Sequence, residues 1–281
     1  MTTLLAWVGV DQRGPASIRI AADSRISWSG ATGGFLQKWD YGRKVFASQR
    51  HPDLIAYCGD VLFPTQTISQ IVELIDKDAF FPSGASPEDK VRLIVSALEQ
   101  AATEYPAAQT RDFSIVFSSR IRKGMEGTFE FYSVPFTGGK AKTINLLDIP
   151  NKSKEITILG SGKVTFQPYL ERWRASDIGG TSRSFFSSFC EYLRSGSDPY
   201  SGGPPQLVGL FRVGAGRSFG VVWDGKLYLT GMEMLVPRQQ VKFDCYNELF
   251  EICDAVTLQR LDRAQRQPSP FRPASPSSGS V

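Results

Sequence analysis

The sequence predicts an α+β fold, a four-layer αββα sandwich in which two antiparallel sheets are stacked between two helical layers. Strand-like segments come in pairs separated by short turns, which indicates antiparallel hairpins. Paired helical segments separate one group of strands from the next, an order typical of sheets covered by helices. The chain has 281 residues, of which 41% are hydrophobic, so it can bury one large core. We expect these elements to form a single domain over residues 1–242.

The first half of the chain begins with two hairpins and continues with two helices. Isoleucine and valine recur at helical spacing from Thr65 to Lys77, which predicts an amphipathic helix. The segment Ser86-Pro87-Glu88-Asp89 has the pattern of a helix N-cap, so a second helix should follow it to about Tyr105. The Gly-rich segment 28–42 has no period and is expected to be an ordered loop that lines a site. The strands of the two hairpins are predicted at 3–10, 18–26, 44–47 and 54–58.

The second half returns to strands, and its Asp224-Gly225 dipeptide is a strong hairpin signal. A C-terminal helical extension is expected at 243–263. The Pro/Ser-rich segment 264–281 is expected to be a disordered tail. The other predicted strands are 113–119, 128–134, 156–159, 207–213, 219–223 and 226–229, and the other helices are 165–173 and 182–193.

Composition excludes several classes of function. The formal net charge is only +4, and no basic surface interleaved with aromatics indicates nucleic acid. No segment is apolar enough to span a membrane, and the start lacks the pattern of a signal peptide. The four cysteines include no C-x-x-C pair, so a zinc site is not expected. Unpatterned cysteines in a chain of this length suit a reducing compartment, so we expect a cytoplasmic location. No cofactor is expected. The single histidine, His51, lies in a predicted surface turn, so a hydrolase would need another general base.

The threonine that follows Met1 is the first candidate for chemistry. Aminopeptidases remove an initiator methionine when the next side chain is small, which would make Thr2 the amino terminus. Its α-amine, with a pKa of about 8 in model peptides, could then accept the proton of its own hydroxyl. Such a nucleophile needs no histidine. The structural alternative is that Thr2 and Thr3 only begin a β-strand, where threonine is common.

Four further motifs lie at the ends of predicted strands or in the loops after helices. The motifs are Asp23-Ser24-Arg25, Lys44, Gly160-Ser161-Gly162 and Asp198-Pro199-Tyr200-Ser201-Gly202-Gly203. With Thr2 they resemble the proteasome β-subunit family, including its simpler bacterial relative that pairs with an AAA+ unfoldase, within the amino-terminal-nucleophile hydrolases. The resemblance covers roughly residues 2–231. Asp198 follows Ser161 by 37 residues and precedes Ser201 by three, as expected for that family.

The resemblance implies the fold of that superfamily and a role for each matched residue. Thr2 would be the nucleophile, Asp23 would orient Lys44, and the amide of Gly59 would stabilise the oxyanion. The α-amine and its proton would be fixed by Ser161, Asp198 and Ser201. Chemistry favours the same residue types, because a nearby lysine lowers the pKa of a hydroxyl and a carboxylate can hold that lysine in place.

Two features of the motifs leave alternatives open. The intervals from Thr2 to Asp23 and from Asp23 to Lys44 are 21 residues each, a few more than usual for the family. Because Arg43 precedes Lys44, either could occupy the inner position. Taken singly, a turn aspartate, a strand-end lysine and a Gly-Ser-Gly turn all have ordinary structural explanations.

The function predicted from these residues is that of a threonine peptidase. Its substrate would be a peptide or unfolded protein, and the resemblance implies a homo-oligomer with an AAA+ ATPase as partner. Two alternatives remain, a stand-alone amidase that acts on small amides and a non-catalytic subunit that keeps the fold for assembly. Both hydrolases need Met1 to be removed, so an intact Met1 would favour the non-catalytic subunit.

Overall fold

The computed structural model describes residues 2–28, 37–106, 111–122, 124–235, 241–267 and 269–271. The predictions that concern Met1, residues 29–36 of the predicted loop and residues 272–281 of the predicted tail lie outside this range. The described residues form a mixed α+β structure with two large sheets and four helices. The helices are α1 (Leu62–Asp76), α2 (Pro87–Thr103), α3 (Lys163–Arg174) and α4 (Ser182–Ser195).

The first sheet has nine described strands in the order β11-β1-β2-β12-β13-β14-β15, with β16 added to β13 and β17 to β16. It is antiparallel except for the parallel β13–β16 pair. Its strands are β1 (Leu4–Asp11), β2 (Gly14–Ala22), β11 (Lys154–Leu159), β12 (Gln206–Phe211), β13 (Arg217–Trp223), β14 (Lys226–Leu229), β15 (Met232–Glu233), β16 (Cys245–Tyr246) and β17 (Ile252–Cys253).

The second sheet is antiparallel and has six described strands in the order β10-β8-β7-β6-β5, with β9 paired to β8. A separate ribbon of two strands is formed by β3 (Ile26–Trp28) and β4 (Gln37–Trp39). The strands of the second sheet are β5 (Val45–Ala47), β6 (Asp53–Gly59), β7 (Phe113–Arg120), β8 (Phe129–Thr137), β9 (Lys140–Ala141) and β10 (Asn145–Leu147).

Alternation along β1 explains how the first sheet is buried on both faces. Leu4 and Val8 belong to a buried cluster that includes Leu54 of β6. Leu5 and Trp7 point the other way, into a cluster with the aromatic residues of α4. Each such side chain contributes about 1.5–3 kcal/mol on burial, so a one-residue slip of β1 would be costly. The second sheet meets α1 and α2 in a third cluster.

Helix boundaries follow the capping signals. The predicted N-cap of α2 is confirmed, because the Ser86 hydroxyl accepts from the Asp89 amide and the Asp89 carboxylate accepts from the Ser86 amide, both at 3.1 Å. The hydroxyl of Thr181 caps α4 by accepting from the Ser184 amide at 3.3 Å. α4 ends at Gly196, whose φ of +63° is the left-handed conformation that commonly terminates helices.

The predicted helix at 243–263 is wrong. This segment contains the short strands β16 and β17, and Phe250 and Leu258 have left-handed φ angles of +59° and +62° that interrupt any helix. Val241, Phe243 and Cys245 alternate with polar residues and all pack in one apolar cluster. This period of two is a strand signal that the helical interpretation overlooked.

The predicted disorder of 264–281 also differs from the structure where the segment is described. Arg183 of α4 donates to the Gln267 side chain at 2.5 Å and to its carbonyl at 2.8 Å. The ring of Phe271 lies 5.2 Å from that of Trp173 of α3. The beginning of the Pro/Ser-rich segment is therefore held against α3 and α4. None of the described helices combines the length and the apolar character needed to cross a bilayer.

Candidate active site

Four neighbouring strands of the first sheet have one terminus at the same end of the sheet. β1 and β12 begin at this end, while β2 and β11 finish at it. Leu4 pairs with both Leu159 and Ala22, and Ala22 also pairs with Gln206. Residues just outside these strands are therefore brought together although they are up to about 200 positions apart. The candidates that converge in this way are Thr2, Asp23, Ser161, Asp198 and Ser201.

The carboxylate of Asp23 is buried and accepts four hydrogen bonds. One oxygen, Oδ1, accepts from the Lys44 ammonium at 2.8 Å and from the Thr3 amide at 3.0 Å. The other, Oδ2, accepts from the amides of Arg25 at 3.1 Å and Gly202 at 3.2 Å. Asp23 is thus saturated by donors from four separate segments, which holds both the carboxylate and Lys44 in one arrangement.

Lys44 occupies the inner position that the sequence left open between Arg43 and Lys44. Its side chain is fully buried, and its ammonium also donates to the Arg25 carbonyl at 2.6 Å. Burial lowers the pKa of Lys44, and the charge of Asp23 opposes that effect. Arg43 instead lies over the ring of Phe46, with its guanidinium carbon 4.2 Å from the ring centroid.

A second polar cluster surrounds the hydroxyl of Thr3. This hydroxyl lies 2.7 Å from the Ser201 hydroxyl and 2.9 Å from the Tyr192 phenol. Both of those groups donate to Oδ2 of Asp198, at 2.8 and 3.0 Å. Burial raises the pKa of Tyr192, so its phenol keeps its proton at neutral pH. Three hydroxyl protons serve four contacts, so the hydrogen bonds of this ring can be arranged in more than one way.

Thr2 differs from Thr3 because its hydroxyl has no hydrogen-bond partner among the described residues, although it is buried. Thr2 lines a cavity of about 380 Å³ together with Gly59 and Ser161. The Ser161 side chain is exposed, and no hydrogen bond joins it to another described residue. The structure therefore brings Ser161 to the cavity of Thr2 but gives it no contact that defines a role.

Gly59 lies where two cavities meet. Besides the cavity of Thr2, it lines one of about 660 Å³ that is also lined by Trp28 and Trp39 of the β3–β4 ribbon. Its φ is +109°, and a Cβ there would lie 2.6 Å from the Asp112 carbonyl oxygen. Only glycine fits this close approach of two strands.

The other reactive side chains contribute nothing comparable. Cys58 lines the cavity of Thr2, but burial raises the pKa of its thiol to about 11, so it is protonated at neutral pH. His51 faces Asp78 at 2.8 Å in the turn before β6, at the opposite end of that strand from Gly59. Within the described ranges, no three His, Cys, Asp or Glu side chains are arranged to hold a metal ion.

Gly160 should be indispensable for the position of the amino-terminal residues. A Cβ on Gly160 would lie 1.8 Å from the carbonyl oxygen of Thr2, and the residue has a φ of +95°. Gly14 is a matched control, since its φ is +97° but nothing lies within 4 Å of a Cβ built there. We expect Gly160→Ala to lower the free energy of unfolding by about 1–3 kcal/mol more than Gly14→Ala, because only Gly160 has the clash. Urea titration of both variants measures this difference, and equal losses would contradict it.

Sequence reasoning missed four residues that organise the site. Arg25 belongs to a motif already singled out, and its guanidinium binds both carboxylate oxygens of Asp40 at 2.8 Å, which connects the ribbon to the site. Thr3 was noticed only as the neighbour of Thr2. Tyr192 lies on the buried face of α4, and Gln206 is a lone polar residue at the start of an apolar strand. Neither Tyr192 nor Gln206 carries a local signal that separates it from ordinary core residues.

No family model matches the chain, and no curated protein matches it. Among solved structures, the chain is similar to Anbu (ancestral beta-subunit) from Yersinia bercovieri, with a TM-score of 0.49, 12% identity and coverage of 74% of this chain and 81% of the other. It is also similar to the Anbu (Gly-1) mutant from Hyphomicrobium sp. strain MC1, with a TM-score of 0.47, 15% identity and coverage of 78% and 86%. A third similar structure is Thiobacillus denitrificans BPH in complex with epoxomicin, with a TM-score of 0.48, 17% identity and coverage of 76% and 100%.

Proposed function

We propose that this protein is a threonine-type peptidase in which Thr2, made amino-terminal by removal of Met1, is the nucleophile. One observation carries the proposal: the amide that joins Thr2 to Thr3 and the ammonium of Lys44 donate to the same carboxylate oxygen of Asp23. Lys44 is therefore held within a few ångströms of the nucleophilic residue. The Thr2 hydroxyl lies beside a cavity and has no partner among the described residues, so no hydrogen bond described in the structure has to break before it reacts.

The proposed reaction follows from these positions. The α-amine of Thr2 takes the hydroxyl proton as Oγ1 attacks the substrate carbonyl carbon. Collapse of the tetrahedral intermediate breaks the C–N bond, the leaving amine takes that proton, and an ester remains on Thr2. Water attacks the ester with the same amine as base, which releases the acid and restores the hydroxyl. The Lys44 charge favours a lower hydroxyl pKa, and an amide of Gly59 aimed at the oxyanion would be worth roughly 3–4 kcal/mol.

Asp198, Ser201 and Ser161 are proposed to hold the α-amine. Support for the first two is their contact through the Thr3 hydroxyl, one residue from that amine. Support for Ser161 is the cavity that it lines together with Thr2.

A peptide is a better substrate for this site than a small amide. The two cavities that meet at Gly59 have volumes of about 380 and 660 Å³. Each is in the range that holds a drug-sized molecule, so together they can accept several residues on the two sides of a scissile bond. Trp28 and Trp39 would provide apolar contacts to substrate side chains.

The proposal includes a wider architecture. We infer that α1 and α2, the two sheets, and α3 and α4 form the four layers of an αββα sandwich, since the three apolar clusters separate these elements in that order. We further propose a homo-oligomer that encloses the cavities, to which an AAA+ ATPase delivers unfolded protein.

Blocking the amine while keeping Thr2 tests the proposal. Protein with the native start is compared with the same chain carrying an uncleaved amino-terminal extension, after intact-mass measurement has established whether Met1 is gone. The processed chain should hydrolyse fluorogenic peptides and unfolded casein, and the extended chain should be at least about 10³-fold slower because it lacks the base. Equal rates would refute the amine as base. Retention of Met1 with no hydrolysis would identify a non-catalytic subunit, and cleavage restricted to small amides would identify an amidase.

A further inference from the structure

Gln206, the first residue of β12, is a fully buried polar side chain with a complete set of partners. Its side-chain oxygen, Oε1, accepts from the Lys44 backbone amide at 3.0 Å. Its side-chain nitrogen donates to the Gly42 carbonyl at 2.7 Å and the Asp23 carbonyl at 3.0 Å, and lies 3.2 Å from the Ser24 hydroxyl. Every partner belongs to one of two segments, the end of β2 that carries Asp23 or the approach to β5 that carries Lys44.

The orientation of this amide is determined by its neighbours. The Lys44 backbone N–H can only donate, so it must face Oε1. The carbonyls of Asp23 and Gly42 can only accept, so they must face Nε2. Among the common side chains only a neutral amide has an acceptor and two donors at one end. Glutamate would point an oxygen at two carbonyl oxygens, methionine would bond to none of them, and asparagine is one methylene shorter.

This bridge adds side-chain hydrogen bonds between two sheets that also meet at this point through the Lys44–Asp23 ion pair, the Gly42 amide on the Ser24 carbonyl, and apolar packing. β2 and β12 belong to the first sheet and β5 to the second. Apolar packing between the sheets is non-directional, whereas four polar contacts to one side chain specify distance and angle. Gln206 therefore sets how the segment of Lys44 lies against the segment of Asp23.

We propose that Gln206 is a positioning residue that sets the separation between Asp23 and Lys44, a role that rests on the proposed function. It touches no substrate and acts through the backbone of both residues. A displacement of about 1 Å at such a pair can cost about 10²-fold in rate, so a loss of this bridge should be visible in kcat.

The experiment compares Gln206→Glu, Gln206→Met and Gln206→Asn with Arg120→Met. Arg120 is a matched control because its buried side chain donates to the carbonyls of Arg122, Phe211 and Gly214, and it lies at the far end of β7 from the site. We expect each Gln206 variant to lower kcat for peptide hydrolysis at least about tenfold with KM within about twofold. Arg120→Met should lower the denaturation midpoint by a similar amount and leave kcat and KM unchanged in the folded fraction.

A second readout does not depend on hydrolysis. The Lys44 signal in a protein with ¹³C-labelled lysine side chains is assigned by its loss in Lys44→Met and followed against pH. Gln206→Glu should raise the Lys44 pKa by bringing a carboxylate near it, and Gln206→Met should lower it by loosening the contact with Asp23. An unchanged titration in all three Gln206 variants, with kcat equal to that of the parent, would overturn the positioning role. If the parent hydrolyses no peptide but the titration shifts as expected, the proposed function fails and the positioning of the pair stands.

Discussion

Replacement of Thr2 by alanine is expected to reduce peptide hydrolysis by at least about 10³-fold, because it removes the attacking oxygen. The fold should survive the change. The Thr2 hydroxyl is buried and has no partner among the described residues, so its loss removes no hydrogen bond described in the structure. We expect the free energy of unfolding to change by less than about 1 kcal/mol. Alanine at position 2, like threonine, is small enough for Met1 to be removed. Steady-state kinetics, with intact-mass analysis of both proteins, therefore compares chains with equivalent amino termini.

Two control variants separate the adjacent threonines. Thr2→Ser keeps a hydroxyl and an amine and should keep measurable hydrolysis. Thr3→Val keeps the shape but removes a hydroxyl in contact with both Tyr192 and Ser201, so it should cost about 1–3 kcal/mol of stability and less activity than Thr2→Ala. A Thr2→Ala variant that hydrolyses peptides as well as the parent would show that another residue is the nucleophile. A larger loss of rate in Thr3→Val than in Thr2→Ala would also contradict the assignment.

Breaking the buried ion pair should have the largest effect on stability. Asp23→Asn leaves the Lys44 ammonium without its carboxylate, and Lys44→Met leaves the carboxylate without its cation. Each change is expected to lower the free energy of unfolding by about 3–5 kcal/mol, the usual cost of leaving one member of a buried pair uncompensated. Each should also lower kcat by about 10² or more in the folded fraction. Denaturant titration and peptide kinetics on the same preparations measure both quantities.

A second ion pair, whose carboxylate is buried, provides the control for this comparison. Lys90 lies 3.0 Å from both carboxylate oxygens of Asp53, at the opposite end of β6 from Gly59. Asp53→Asn should also destabilise the protein, but it should leave kcat unchanged because the pair is remote from the cavity of Thr2. Equal losses of kcat in Asp23→Asn and Asp53→Asn would mean that activity only reports on folding.

The pH dependence of stability gives an independent check on Lys44. Burial lowers its pKa in the folded protein below the ordinary value of 10.5. Between the lowered value and 10.5 the unfolded chain binds more protons than the folded chain, so the free energy of unfolding should rise with pH across that window. Lys44→Met should lose this rise. A stability profile in Lys44→Met that parallels the parent through the window would show that the lysine pKa is not lowered.

Local signals predicted much of the fold. Turn residues between strand-like pairs located the hairpins of β1–β2, β5–β6 and β7–β8, and the Ser86 cap located α2. These signals work because a turn or a cap is decided by a few neighbouring residues. At 243–263 the same reasoning failed, because the alternation of Val241, Phe243 and Cys245 is short and was overlooked. Strand β16 is completed by its parallel pairing with β13, which the sequence does not show.

For the site, the sequence by itself determined which chemistry is available. It provides a threonine at position 2, a carboxylate at the end of one strand, a lysine at the start of another, and only one histidine. Tertiary structure decided which of these groups meet. It selected Lys44 over Arg43, joined Thr3 to Ser201 and Tyr192, and placed Gln206 between Asp23 and Lys44. The physical reason is that these hydrogen bonds connect residues from 21 to 198 positions apart, and their geometry exists only once both sheets are packed.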